Sequence, residues 1–326
     1  MIKIRYNKVD IKENDLLNYD EELLCILLKD HSSNKNIIWA TDNYQPLGSK
    51  YNSNEQITID LITGINGKLI KPRVNKNKVE KTLRVREKAE VFTPSWICNK
   101  QINIIDKEWF GESRVFNTET NKGWTTKEGK IQFPSKTGKG WQDYVSDVRL
   151  EICCGEGPYI VSRYDTISGK SIPIEHRIGV LDRKLRVVSE NTNNSEEWIE
   201  WAKIAYQSTY AYEWQGDNLL LTRENLLFSY LDYYRKKFHK TPRKDIIFSI
   251  AEIISWNVWQ MDGVKATVPN SCNTDKFEEN TLFEPIVQYK QCEGCLKNNV
   301  KKHNGIYCII MDWKSGTETS FLSLIK

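Results

Sequence analysis

The stretch at 150–160, LEICCGEGPYI, constrains the fold more than any other part of the chain. An apolar run ends near an acid and then breaks at two glycines separated by one residue. The pattern predicts a strand, a tight turn and a following helix, because glycine is needed where a backbone bends sharply or approaches a ligand. Ligands in open α/β sheets sit beyond the carboxyl ends of strands, so such a turn is a candidate site. It lacks the full G-x-G-x-x-G spacing of a dinucleotide fingerprint, and no lysine follows as in a P-loop. Taken alone, it reads equally well as a plain strand-to-helix turn.

Neighbouring segments shift that balance. RIGVLD, at 177–182, reads as a second strand with Asp182 at its end, where a carboxylate can accept both ribose hydroxyls of a nucleoside. YEWQGDNLL places Asp217 at the end of a third strand, positioned to accept from an exocyclic amine. Helical patterns lie between and after them: an amphipathic run at 195–212, then NLLFSYLDYYRKKF and KDIIFSIAEIISWNVWQMDG. Alternating strand and helix predicts an α/β sheet with crossovers.

Upstream, the chain reads as a small α+β unit: ELLCILLKD as a buried element, NIIWAT as a strand and EQITIDLITG as strand or turn. Pro94 precedes a helix expected to begin near Ser95. The region between Gly111 and Gly140 predicts loops and short strands, and the C-terminal run a hairpin turned at 314–316. The expected divisions are 1–88, an α+β region with a basic linker; 89–265, a cofactor-binding domain; and 266–326, a cysteine-containing segment with the hairpin.

Charge suggests a partner. Between Lys68 and Lys88 stand Lys71, Arg73, Lys76, Lys78, Lys81, Arg84 and Arg86, against only Glu80 and Glu87. Such a block fits phosphate contacts on nucleic acid, or else a solvated linker or helix face. Hydrophobic residues make up 39% and charged residues 28% of the 326, a globular composition with no apolar run near the ~20 residues of a membrane span. No signal-peptide core is present, so a soluble cytoplasmic chain with no membrane partner is expected. The eight cysteines are then expected to be mostly reduced thiols.

Four of those cysteines form a candidate metal set. Cys292 and Cys295 make a Cys-x-x-Cys knuckle, with Cys272 upstream and His303 and Cys308 downstream. Cys272, Cys292, Cys295 and Cys308, with His303 as a further soft donor, are the expected ligands of a structural zinc; a loop of unpaired cysteines is the alternative.

The run AEVFTP, 89–94, resembles the GxFxTP motif of DNA adenine N6-methyltransferases, and EICCGEGPY resembles their motif I. VLD and GDNLL occupy the places of motifs II and III. Through LLKD, IIWATD, EVFTPSWICN, RLEICCGEGPYIVSRYD, RIGVLDRKLR and ISWNVWQMDG, most of the chain is similar to bacterial proteins described as restriction endonuclease subunit M. The resemblance implies a partial Rossmann-like sheet that binds S-adenosylmethionine. It places Phe92, Thr93 and Pro94 along the methionine and adenine side, and Glu151, Cys154, Gly155 and Gly157 around the amino-acid part. Asp182 would hold the ribose and Asp217 the adenine amine.

That family activates the adenine amine with an Asn/Asp/Ser-Pro-Pro-aromatic motif, whose ring stacks on the flipped base. None of the nine prolines here is adjacent to another, so that motif is missing and no catalytic residue is assigned. Asn257, with Trp256 and Trp259 beside it, is the one substitute the sequence offers, and helical period favours a structural role. The expected function is the cofactor-binding part of a DNA adenine methyltransferase in a restriction–modification system. A second polypeptide would supply the catalytic and target-recognition segments. The alternative is a noncatalytic DNA- or cofactor-binding or assembly protein.

Overall fold

A computed structural model describes residues 9–88, 90–134, 138–273, 275–280 and 285–325. The first eight residues of the chain, and Ala89 of the AEVFTP run, lie outside them. Along the chain come α1 (Glu13–Tyr19), α2 (Glu21–Leu28), the short pair β1 (Lys29–Asp30) and β2 (Lys35–Asn36), α3 (Ile59–Ile62), α4 (Lys78–Lys88) and α5 (Ser95–Phe110). The hairpin β3 (Asn117–Thr120) and β4 (Gly123–Thr126) leads to α6 (Trp141–Ser146) and β5 (Arg149–Ile152). Then follow α7 (Val180–Asn191), α8 (Ser195–Gln207), β6 (Thr209–Glu213), α9 (Gly216–Phe238), α10 (Lys244–Asn257) and β7 (Val258–Gln260). The last part holds β8 (Asp275–Asn280), β9 (Pro285–Lys290), α11 (Glu293–Lys297), β10 (Ile309–Asp312) and β11 (Thr317–Ser320).

The class is mixed α/β. At the centre β5, β6 and β7 form a parallel sheet in that order, with Ile152 opposite Tyr212 and Tyr212 opposite Trp259. Parallel neighbours require crossovers, which α7 and α8 supply between β5 and β6, and α9 and α10 between β6 and β7. Ala211 and Val258 share one face of the sheet and are fully buried in the main core, with Leu24, Trp39, Ala205, Leu227 and Ile254. Those residues come from both the first and second expected segments. Helix α9 is buried along most of its length and runs through this core.

On the opposite face Tyr212 and Trp259 pack under Cys308, Ile310 and Phe321 of the C-terminal part. This cover stops short of β5. Leu150 and Ile152, on the same face, are 47% and 62% exposed, and Val148 is 59% exposed. No described strand pairs with the outer edge of β5.

Local chemistry accounts for the helix boundaries. The Asn194 side chain accepts from the Glu197 amide at the start of α8, and Asp20 does the same for Glu22 in α2. Pro94 immediately precedes α5, as expected, and Gly111 ends it in the left-handed conformation.

Several expectations are corrected. RIGVLD forms no strand: the chain enters α7 at Val180, and Asp182 sits in its first turn. Among the described residues no α-helix follows the glycine turn until α7. The run at 195–212 divides, becoming helix to Gln207 and strand from Thr209, so the strand expected to carry Asp217 ends earlier, at Glu213. Asp217 lies in the first turn of α9. NIIWAT contributes only the end of β2 and an isolated bridge from Ile38 to Gln56, while EQITIDLITG contains the short helix α3. The C-terminal hairpin turns where expected, with Asp312 paired to Thr317. No described helix is long and apolar enough to cross a membrane.

Candidate functional site

Beyond the carboxyl ends of β5 and β6 lies a cavity of about 590 Å³, within the range of about 300–1,000 Å³ typical of small-molecule sites. Its floor is the glycine turn. Cys153, Gly155 and Gly157 all have left-handed backbone, and the Cys154 amide donates to the Tyr212 carbonyl, which ties the turn to β6. A side chain at Gly155 would be strained by its φ of 57° and would meet the Phe92 ring. Gly157 is equally constrained, since a Cβ there would lie 3.0 Å from Thr222. These glycines let the backbone turn tightly between Phe92 and α9.

The cavity is acidic. Glu90, Glu151 and Glu213 line it, and no described lining residue is Lys or Arg. Glu213, the last residue of β6, accepts from the amides of Gly155 (2.9 Å) and Gln215 (3.2 Å). Burial pushes its carboxyl up to about 7, and burial does the same for Glu151, also to about 7. Glu90 is ion-paired through Oε2 with Arg84 (2.8 Å), whereas two buried acceptor atoms at this site, Glu90 Oε1 and Asn218 Oδ1, have no hydrogen-bond partner among the described residues. Phe92, Tyr159 and Trp214 give the walls aromatic surface.

Five of the nine expected cofactor residues therefore meet in one place: Phe92, Thr93, Glu151, Cys154 and Gly155. Pro94 and Gly157 act beside it, one starting α5 and the other shaping the turn. Asp182 does not reach the cavity. It is fully buried and accepts from the Ser162 amide, the Ser162 hydroxyl and the Gly179 amide, which makes it a structural cap. Asp217 is likewise committed elsewhere, ion-paired with Arg84 and with Lys76 (3.5 Å) and accepting from Tyr44 Oη. Burial pushes the Asp217 carboxyl up, but the Arg84 and Lys76 cations outweigh it and hold it well below the ordinary range.

The same pairs take Arg84 and Lys76 out of the basic block, while Lys68, Lys78 and Arg86 stay exposed. Asn257 is also spoken for. Its amide donates to the carbonyls of Tyr206, Gln207 and Thr209, and its oxygen accepts from Trp313 Nε1. Trp256 stacks on His31, and Trp259 packs against Tyr212 and Phe321.

Glu213, Glu90, Asn218 and Trp214 were missed as site residues. The available signal was TYAYE, a β-branched and aromatic run ending on an acid, as RLE nearly does in β5.

A roomier groove of about 810 Å³ lies between β4, α7 and α9, with Lys127, Arg186, Lys236 and Lys237 on its walls. Three of these cations already have protein partners. Arg186 holds Glu190 and the carbonyls of Lys127 and Gly129; Lys236 pairs with Glu175; Lys237 holds the Ser189 and Thr192 carbonyls. The acidic cavity, with its unpartnered acceptors, is the better ligand site.

Comparison with protein-family models, curated proteins and solved structures finds no match to the chain.

Of the expected metal ligands, Cys272, Cys292 and Cys295 come together, and His303 joins them. Cys308 does not. It is fully buried in the C-terminal core with its thiol toward the Gln260 carbonyl, 3.4 Å away.

Proposed function

We propose that this chain is the S-adenosylmethionine-binding part of a DNA adenine N6-methyltransferase of a restriction–modification system, built on a partial Rossmann-like sheet. The observation that carries the reading is the charge of the cavity at the glycine turn. A dinucleotide or nucleoside triphosphate needs cations or a helix N-terminus for its phosphates. Among the described residues the cavity lining offers three glutamates, of which Glu90 is paired with Arg84, and no lysine or arginine, and no α-helix directly follows the turn. S-Adenosylmethionine suits this cavity: it has no phosphate, its sulfonium and ammonium outnumber its one carboxylate to leave a net positive charge, and it carries several N–H and O–H donors.

In this reading Glu213 takes the role expected of Asp182, since it is the acid at the end of the strand beside the glycine turn. Phe92 and Trp214 offer flat surface to the adenine, and Glu90 Oε1 and Asn218 Oδ1 accept from ligand donors. When bound, the cofactor would supply an electrophilic methyl group. The chain's own residues would bind and orient it, while a second polypeptide supplies the adenine-activating motif and target recognition. The open edge of β5 suits an added strand from such a partner. DNA would be met partly through the exposed Lys68, Lys78 and Arg86.

The lack of paired prolines and the structural engagement of Asn257 favour a second reading, a noncatalytic cofactor-binding or assembly protein. Adding the separate catalytic and recognition segments distinguishes the two: restored methylation supports the split enzyme, and persistent inactivity the second.

The ligand class itself is tested by thermal shift. At about a hundredfold excess over Kd, S-adenosylmethionine should stabilise the fold by about 2.7 kcal/mol and raise Tm by a few degrees. ATP and NAD should leave Tm unchanged. A shift with the anionic nucleotides and none with S-adenosylmethionine would reverse the assignment.

A further inference from the structure

Cys272, Cys292, Cys295 and His303 bring one ligand atom each to within 4.8 Å of one another, remote in sequence from the cavity residues. The three sulfurs surround a single ring nitrogen. His303 Nδ1 lies 3.5 Å from Cys272 Sγ, 3.5 Å from Cys292 Sγ and 3.6 Å from Cys295 Sγ. One imidazole nitrogen has one proton or one lone pair and cannot hydrogen-bond three thiols at once. A common centre explains the arrangement. Zinc bonds of about 2.3 Å to sulfur and about 2.0–2.1 Å to nitrogen, at the tetrahedral angle, place the S and N atoms about 3.5 Å apart.

We infer that the chain holds a structural zinc ion through the thiolates of Cys272, Cys292 and Cys295 and the Nδ1 of His303. The surrounding backbone is fitted to it. Cys292 precedes α11 and Cys295 lies in that helix, so the knuckle presents both sulfurs together. The Asn304 amide points at Cys292 Sγ from 3.3 Å, a contact that favours a thiolate. Gly294 passes so close to the histidine that a Cβ would lie 2.6 Å from His303 Nδ1, and a Cβ at Gly305 would lie 3.0 Å from Cys272 Sγ. A side chain at either glycine would displace a ligand.

Four protein ligands close the coordination shell, which is the arrangement of structural rather than catalytic zinc. The ion would join Cys272 to the α11 knuckle at the base of the β8–β9 hairpin, beside the short ladder where Val268 bonds to Ile306 and Cys308 to Ala266. It would thus fasten the segment that covers Tyr212 and Trp259. The inference is independent of the cofactor reading.

Metal analysis of the chain purified under reducing conditions, with zinc supplied during expression, should find one zinc ion per chain. Cys272→Ser, Cys292→Ser, Cys295→Ser and His303→Ala should each lower retained zinc by about tenfold or more, while Cys308→Ser should keep it. Cobalt(II) added to the unaltered chain should give the intense visible bands of a tetrahedral thiolate site. That readout does not depend on the variants folding. A zinc-free chain with a weak, octahedral cobalt spectrum would overturn the site. So would loss of zinc in Cys308→Ser with retention in His303→Ala.

Discussion

Arg223 sits fully buried in α9 and gives its guanidinium to four backbone carbonyls: Leu27, Lys29, Ser255 and Val258. Four structural elements meet there, the ends of α2 and α10 and the starts of β1 and β7, and helix C-termini favour a cation. Burial lowers its pKa to about 10, so it stays charged at neutral pH. Arg223→Met should cost about 3–5 kcal/mol, because it leaves four carbonyls short of a donor. Urea unfolding measures this, and a loss below about 1 kcal/mol would show the carbonyls finding other partners. Three acids make the complementary point. Asp182, Asp217 and Glu213 are all buried carboxylates near sheet or helix ends. Asp182 is held by amides and a hydroxyl and Asp217 by cations, whereas Glu213 alone of the three lines the cavity. Residue type could not tell them apart; their partners do.

Among the elements, β5 has one covered face and one bare one. Replacing both Leu150 and Ile152 by lysine should change stability by no more than about 0.5 kcal/mol and reduce self-association at high concentration. Thermal melts and sedimentation measure the two effects. Severe destabilisation would mean that this face is covered in the isolated chain. The strand itself, its glycine turn and α5 after Pro94 were legible in the sequence because each has local punctuation. The missed elements had ambiguous punctuation. RIGVLD is apolar enough for a strand, but Gly179 is followed by a run whose Asp182 caps a helix. The helix at 195–207 runs into β6 with only Ser208 between, and the aromatic side chains of TYAYE fit either period. Losing that boundary hid Glu213. The cysteine–histidine cluster was nearly legible, but spacing could not choose between His303 and Cys308; the fold decides by burying Cys308 elsewhere.

At the scale of the whole molecule, burial raises two of the acids lining the cavity toward neutral pKa, so a ligand that needs them ionised would bind with a pH dependence. Glu151 and Glu213 titrate near 7 in the folded chain, above the ordinary 4.5. Between those values the folded chain without ligand holds protons that the unfolded chain has released. Their contribution to stability is therefore full below about pH 4.5 and is lost as pH rises through about 7. Glu13 and Glu224, raised by burial, act in the same direction. Binding of a cationic nucleoside runs the other way, since it needs the carboxylates ionised. Isothermal titration with S-adenosylmethionine tests whether a cationic cofactor seats beside Glu213. The titration compares the unaltered chain with Glu213→Gln at pH 6 and pH 8. Binding should be about tenfold tighter at pH 8 for each carboxylate that must ionise, with Glu213→Gln weaker and less pH-dependent. Absence of binding by the folded chain, or affinity indifferent both to pH and to Glu213, would contradict a cofactor seated there.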